Sequence, residues 1–276
     1  MVKPSKILVV MYGLCRGKGV SKESYKNTII DPLVKRKHRV DCLHVIKSNS
    51  IIDDSGSSSI DTLSQESMDF APDDKVHIFN ENDLSDESLY DYSKNFRDKH
   101  SDDYLSNKYL IHQLSKLDIS TRLVDYTKYD VVILVRDDLY FYNKVINWDF
   151  VLYLVNFGPV VSKWFWNGGA SERFVVAKPK DALKIATRIT LGKESIDKYG
   201  CLNGEYLQKY ILDFYKMIPL AISLRFCRVR VHKKLYREKY IYPLWRPLEC
   251  FVVAKSQMYV LKYRMKYVFR KVRGNL

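Results

Sequence analysis

No stretch of this 276-residue chain is long and apolar enough to span a bilayer. A spanning helix needs about 20 predominantly apolar residues, and the nearest approach, 150–161, is broken by Asn156, Gly158 and Pro159. The N-terminal MVKPSKILVVMYG has too short an apolar run for a secretory leader and reads better as a first strand. Cysteine is scarce and scattered, with five residues at positions 15, 42, 201, 227 and 250 and no CxxC or CxxH spacing. That excludes a zinc module and a disulfide framework, and predicts reduced, mostly buried thiols in a cytoplasmic protein. Glycine motifs are missing too: the first loop, GLCRGKG at 13–19, is neither GxGxxG nor GxxxxGK[ST]. Dinucleotide-binding and P-loop readings are therefore rejected.

Acidic residues are outnumbered by basic ones over most of the chain and concentrated in one stretch. Residues 51–103 hold 15 Asp and Glu against 4 Lys and Arg, so this stretch carries −11 and the remainder +25 of a formal total of +14. Such a balance implies an anionic partner without saying whether it is a phosphorylated metabolite, a nucleic acid or a lipid surface.

What is present is an alternation of strand and helix signals. Ile7–Met11 reads as a strand, followed by a loop in which Arg16 and Lys18 either face a pyrophosphate or belong to a solvated turn. A helix is predicted from about Lys22 to Lys37, with Pro32 breaking or kinking it. Arg39–Ile46 alternates as a second strand. The stretch 48–74, rich in Ser and Asp, predicts a long loop or disordered insertion, and 81–103 an acidic surface segment. Between them, Val76–Phe79 is a short strand candidate. A helix follows over about 102–117, with His112 close to its apolar face.

The central stretch is DVVILVRDDLYFYNKVINWD, 130–149. The continuous apolar run Val131–Val135 suits a strand buried on both faces. It meets Arg136, Asp137 and Asp138 with no spacer. Adjacent carboxylates at the carboxyl end of a core strand sit where open α/β sheets bind ligands, and carboxylates are hard ligands for Mg²⁺ or Mn²⁺. An ordinary polar turn is the alternative. Two adjacent like charges do not favour the free fold, so Asp138→Asn is expected to be tolerated by folding.

Beyond it, Val151–Val155 is a further strand candidate, and Trp164 and Trp166 flank a flexible Gly168-Gly169 pair. Aromatic faces beside hydrogen-bonding groups suit sugar rings, or else form a buried aromatic turn. Helices are predicted over about 180–191 and 205–217, the second with Glu205 at its start, where the helix dipole favours an anion. The stretch 224–232 alternates as a late strand carrying Arg225, Arg228 and Arg230. Residues 259–273 form a basic amphipathic helix that would either contact an anionic membrane surface or pack with its basic face in solvent.

In their order, the segments ILVVMYGLCRG, SYKNTIIDPLVKRKHRVDCLHVI, YLSNKYLIHQL, DVVILVRDDLYF, WNGGASERFVVAKPKDA and LNGEYLQKYIL resemble small nucleotide-sugar glycosyltransferases of the GT-A type. Surface-polysaccharide enzymes of bacteria and chlorovirus-like enzymes of large algal DNA viruses are the nearest in pattern. The resemblance implies an α/β, Rossmann-like mixed sheet flanked by helices over residues 1–235, with 48–100 as an acidic, partly disordered insertion and 236–276 as a basic C-terminal extension. It implies transfer of a sugar from a nucleotide-diphosphate sugar to a glycan or glycoprotein hydroxyl, with UDP-xylose, another UDP-sugar or a GDP-sugar as donor. Asp137 and Asp138 match the family's D-x-D element, written here as RDD, and with His232 would hold Mn²⁺ or Mg²⁺. Tyr12, Gly13, Arg16 and Arg136 would face the nucleotide sugar, and Trp164 and Trp166 the acceptor. Glu172 or Glu205 would be the base of an inverting reaction, with Asp138 alongside as a catalytic carboxylate. The expected location is the cytoplasm, that of the host if the viral likeness holds, with peripheral membrane contact through 259–273. Two rival readings follow from the residues: a basic nucleic-acid-binding protein, and a phosphoryl-transfer enzyme using the same acidic pair.

Overall fold

A computed structural model describes residues 4–13, 20–47, 51–54, 59–62, 75–79, 87–98, 103–142, 146–162, 170–222, 224, 226–229 and 235–236. Its frame is a seven-stranded mixed sheet flanked by helices. The strands, in chain order, are β1 (Lys6–Tyr12), β2 (Arg39–Lys47), β5 (Lys75–Phe79), β6 (Val131–Arg136), β8 (Val160–Ser162), β9 (Phe174–Ala177) and β10 (Leu220–Ile222). Their spatial order is β10-β8-β9-β6-β1-β2-β5. β5, β2, β1 and β6 run parallel, β9 pairs antiparallel with both β6 and β8, and β10 is parallel to β8.

The chain moves outward from β1 through β2 to β5, then returns to place β6 on the opposite side of β1. The strand order therefore reverses between β1 and β6. In open α/β sheets, a crevice outside the carboxyl ends at such a reversal is where ligands bind.

Alternation along β1 explains why both faces are covered. Leu8, Val10 and Tyr12 join one buried cluster, with Leu114 and Leu117 of α4 (Leu105–Leu123) and Ile185 of α6 (Pro179–Ala186). Ile7, Val9 and Met11 join another, with Tyr25, Ile29, Leu33 and Trp148. β6 is buried at every position, as its unbroken apolar run requires.

The helical segment after the first loop spans α1 (Val20–Tyr25), a π turn (Lys26–Ile30) and α2 (Asp31–Lys35). Pro32 has no N–H to offer the Thr28 carbonyl four residues back. Trp148 takes that carbonyl instead, its indole Nε1 donating at 3.0 Å. The expected kink is thus absorbed as a π turn and tied across to α5 (Trp148–Leu154).

Several local expectations change. Val151–Val155 belongs to α5 rather than to a strand, because Asn147 caps the helix by accepting from Phe150 N at 3.1 Å. The stretch 48–74 carries an antiparallel hairpin of β3 (Ile51–Asp54) and β4 (Ser59–Thr62), whose isoleucines favour strand backbone. Within 81–103 lies α3 (Glu87–Ser93), and its Leu89 is buried in the core beneath acidic neighbours. α7 (Gly192–Tyr199) and α8 (Gly204–Phe214) complete the helical layer on that face. A second sheet of β7 (Leu139–Phe141), β11 (Phe226–Val229) and β12 (Leu235–Tyr236) covers the end of β6. Cys42, Cys201 and Cys227 are buried, as expected. No helix among the described residues is long and apolar enough to cross a membrane.

Candidate functional site

The acidic pair forms the two-residue turn between β6 and β7, at the carboxyl edge beside β1. Its backbone is tied on both sides: Asp137 N donates to Tyr12 O at 2.8 Å, and Val229 N donates to Asp138 O at 2.7 Å. Tyr25 supports it from α1, its hydroxyl donating to Arg136 O and accepting from Leu139 N at 3.3 Å. Burial, and then the charges of Asp137 and Asp138, push the Tyr25 phenol well above its ordinary pKa, so it stays a neutral donor.

The two carboxylates have different surroundings. Asp138 is fully buried, and both its oxygens are held by Arg136: Nε to Oδ1 at 3.0 Å and Nη2 to Oδ2 at 2.7 Å. Arg136 also reaches Glu172, Nη1 to Oε1 at 3.3 Å, and Arg188 Nη2 lies 3.6 Å from Glu172 Oε2. The result is a buried row of alternating charges, Asp138–Arg136–Glu172–Arg188. Burial works against the charge of Arg136, but Asp138 and Glu172 outweigh it and hold the guanidinium above its ordinary pKa. Tyr12 closes this side, its hydroxyl donating to Glu172 O at 2.6 Å. Burial is the main cause that pushes the Tyr12 phenol up to about 12.

Asp137 faces elsewhere. Its Oδ2 lies 3.2 Å from His44 Nε2, on β2, and both side chains are buried. Its Oδ1 has no hydrogen-bond partner among the described residues. That oxygen lies against Gly13, where a Cβ would sit only 2.2 Å away and where the backbone takes φ +145. Glycine at 13 is therefore required both by the close approach and by the backbone. Lys116 of α4 reaches the same spot, its Nζ donating to Gly13 O from a position 1% exposed.

These contacts set the surroundings of each expected site residue. Asp138, expected as a metal ligand and catalytic carboxylate, is the bidentate partner of a buried arginine. Arg136, expected to face the nucleotide sugar, spends its guanidinium on Asp138 and Glu172. Glu172, expected as a candidate base, is clasped between two guanidiniums and wedged against Gly204, where a Cβ would fall 2.4 Å from Oε2. Glu205, the other candidate, sits in the first turn of α8 with its side chain 14% exposed, 4.0 Å from Arg173 Nη2. Tyr12, Gly13 and Asp137 meet at the carboxyl ends of β1 and β6. Arg16, Trp164, Trp166, His232 and the segment 259–273 lie outside the described residues. His112 is a buried helix residue, 3% exposed.

The described residues do not by themselves make a divalent-ion site. Two of the expected ligands are described, and the only carboxylate oxygen of that pair without a partner is Asp137 Oδ1. Among the described residues, no group of three or more His, Cys, Asp or Glu side chains could hold a metal ion.

His44, Lys116, Arg188 and Tyr25 were not singled out from sequence. Lys116 had a readable signal, a cation one helical turn after His112 beside the apolar stripe. His44 had none beyond its place in an alternating strand.

No family model matches the chain, and no curated protein matches it. Among solved structures, the chain is similar to the apo form of mouse xyloside xylosyltransferase 1, with 10% sequence identity over 79% of this chain and 84% of that chain, at a TM-score of 0.45.

Proposed function

We propose that this chain is a glycosyltransferase that moves a sugar from a nucleotide-diphosphate sugar to a hydroxyl of a glycan acceptor, with UDP-sugars, UDP-xylose among them, favoured over GDP-sugars. The observation that carries the reading is Asp137: a buried carboxylate with one oxygen unpartnered among the described residues, at the carboxyl ends of β1 and β6, where the strand order reverses. A buried acceptor without a partner costs free energy. A hydroxyl of the donor would supply the missing hydrogen bond. The resemblance in segment order supports the same substrate class.

In this reading the donor lies along Tyr12, Gly13 and Asp137. Lys116, seated on the Gly13 carbonyl, and Arg16 of the first loop oppose the negative charge that develops on the departing nucleoside diphosphate. Glu205 takes the acceptor proton as general base during an inverting displacement. It stands at a helix start rather than between two guanidiniums, which favours it over Glu172 for this role. Trp164 and Trp166 are assigned to the acceptor.

The test is a screen of UDP- and GDP-sugars for thermal protection and for donor hydrolysis, with and without Mn²⁺. Protection and hydrolysis by a UDP-sugar are expected. A protein that neither binds nor hydrolyses any nucleotide sugar, yet binds nucleic acid with a steep salt dependence, would overturn the reading.

A further inference from the structure

We propose that His44 is a positioning residue that fixes the Asp137 carboxylate, so that Oδ1 stays against Gly13 at the carboxyl edge of the sheet. The inference rests on the transferase reading for its kinetic consequence, but its geometry stands apart from that reading. The last side-chain torsion of an aspartate is broad and roughly two-fold. The backbone bond from Asp137 N to Tyr12 O fixes the residue's position but leaves that torsion free to turn. Two further contacts restrict it. His44 Nε2 at 3.2 Å from Oδ2 gives one oxygen a defined partner. Gly13, with no side chain, leaves the space that the other oxygen fills.

The imidazole is itself well anchored. His44 is fully buried, on an internal strand whose register pairs it with Met11 on one side and Val76 on the other. A ring enclosed on an internal strand has little room to turn, and a binding carboxylate needs such a support. As a carboxylate oxygen Oδ2 can only accept, which makes Nε2 the ring donor in this contact. Tyr25 approaches the acidic pair from α1 and acts on the backbone through Arg136 O and Leu139 N. Tyr25 therefore does not replace His44 in setting the carboxylate's rotation.

The experiment compares His44→Phe, which keeps a flat ring without a donor, with His44→Gln, whose amide can donate from a similar reach. UDP binding is measured by calorimetry, kcat and KM with UDP-glucose and UDP-xylose, and melting temperature for each variant. In a parallel arm, ring-nitrogen NMR of histidine-labelled protein is recorded for the wild type and for Asp137→Ala. The expected result is that His44→Phe lowers kcat by about 10- to 100-fold, in line with misplacing a reacting group. His44→Gln should recover most of that loss even where both variants melt at the same temperature. One histidine should lose its hydrogen-bonded Nε2 signature in Asp137→Ala. Equal kinetic losses in the two variants, tracking their melting temperatures, would reduce His44 to a packing residue and overturn the proposal. An unchanged histidine spectrum in Asp137→Ala would do the same. If the wild type binds no nucleotide, the transferase reading fails, while the NMR arm still decides the His44–Asp137 contact.

Discussion

Asp137 and Asp138 are neighbours in sequence and opposites in environment. Asp138 has both oxygens saturated by one guanidinium, at 3.0 and 2.7 Å, and is fully buried. Asp137 is almost as deeply buried, yet beside Gly13 it keeps an oxygen without a partner among the described residues. The first arrangement is what a buried charge needs in order to be tolerated. The second is left incomplete at the edge where a ligand would complete it. Adjacent carboxylates therefore need not share a task. Here one secures the strand end and the other presents an acceptor.

The largest expected effect comes from breaking the closed half. Asp138→Asn leaves Arg136 buried with Glu172 as its remaining carboxylate, and removing one partner of a buried ion pair costs about 3–5 kcal/mol. For a chain of this size that corresponds to roughly 10 °C in melting temperature. This reverses the expectation from sequence, in which the pair's mutual repulsion made the same change harmless. Thermal unfolding followed by circular dichroism checks it. A variant that melts with the wild type would show that Asp138 is not the structural acid.

Asp137→Asn tests the open half. The amide can still accept a hydrogen bond from His44, so folding should be nearly unchanged. Removing one electrostatic contact that strengthens in the transition state typically costs about 10²–10³ in rate, and a loss of that order is expected with a nucleotide sugar. Calorimetry with UDP in chelator and in Mn²⁺ sharpens the contrast. Affinity should be insensitive to the metal, because Asp138 is already engaged. A large Mn²⁺-dependent gain that disappears in Asp138→Asn would mean that Arg136 releases its carboxylate when ligand arrives.

The frame was legible where the signal is local. Val131–Val135 announced a doubly buried strand, and Ile7–Met11 a first strand beside it, because continuous apolar runs have few alternatives. The run Val151–Val155 misled, since its branched and aromatic residues suit a strand, and the decisive signal was the Asn147 cap. In the site, the pairing of Arg136 with Asp138 was within reach of sequence, because the two residues are only two apart across a tight turn. The other contacts were not. Glu172 reaches Arg136 across 36 residues, and His44 reaches Asp137 across 93. Only the order of the strands brings them together, and nothing local in either segment encodes that order.

The smallest expected effect is the most discriminating about rigidity. At Gly204, in the first turn of α8, an alanine Cβ would fall 2.4 Å from Glu172 Oε2 and 2.6 Å from its Cδ. Helix propensity alone would make Gly204→Ala favourable by up to about 1 kcal/mol. Overpacking a filled site costs about 1–3 kcal/mol, but a glutamate tip often swings away at little cost. Here it is held by Arg136 at 3.3 Å and faced by Arg188 at 3.6 Å, so movement would disturb both guanidiniums. The overpacking cost should therefore win, giving a net loss of about 1 kcal/mol in denaturant unfolding. UDP affinity should not change, because the clash falls on the Asp138–Arg136–Glu172 side and leaves Asp137 and His44 untouched. A gain in stability would mean that Glu172 moves freely, and the row of buried charges would then be a loose association rather than a strut. A loss of nucleotide affinity without a loss of stability would place Glu172 on the ligand's side of the site and erase the distinction between the two acids.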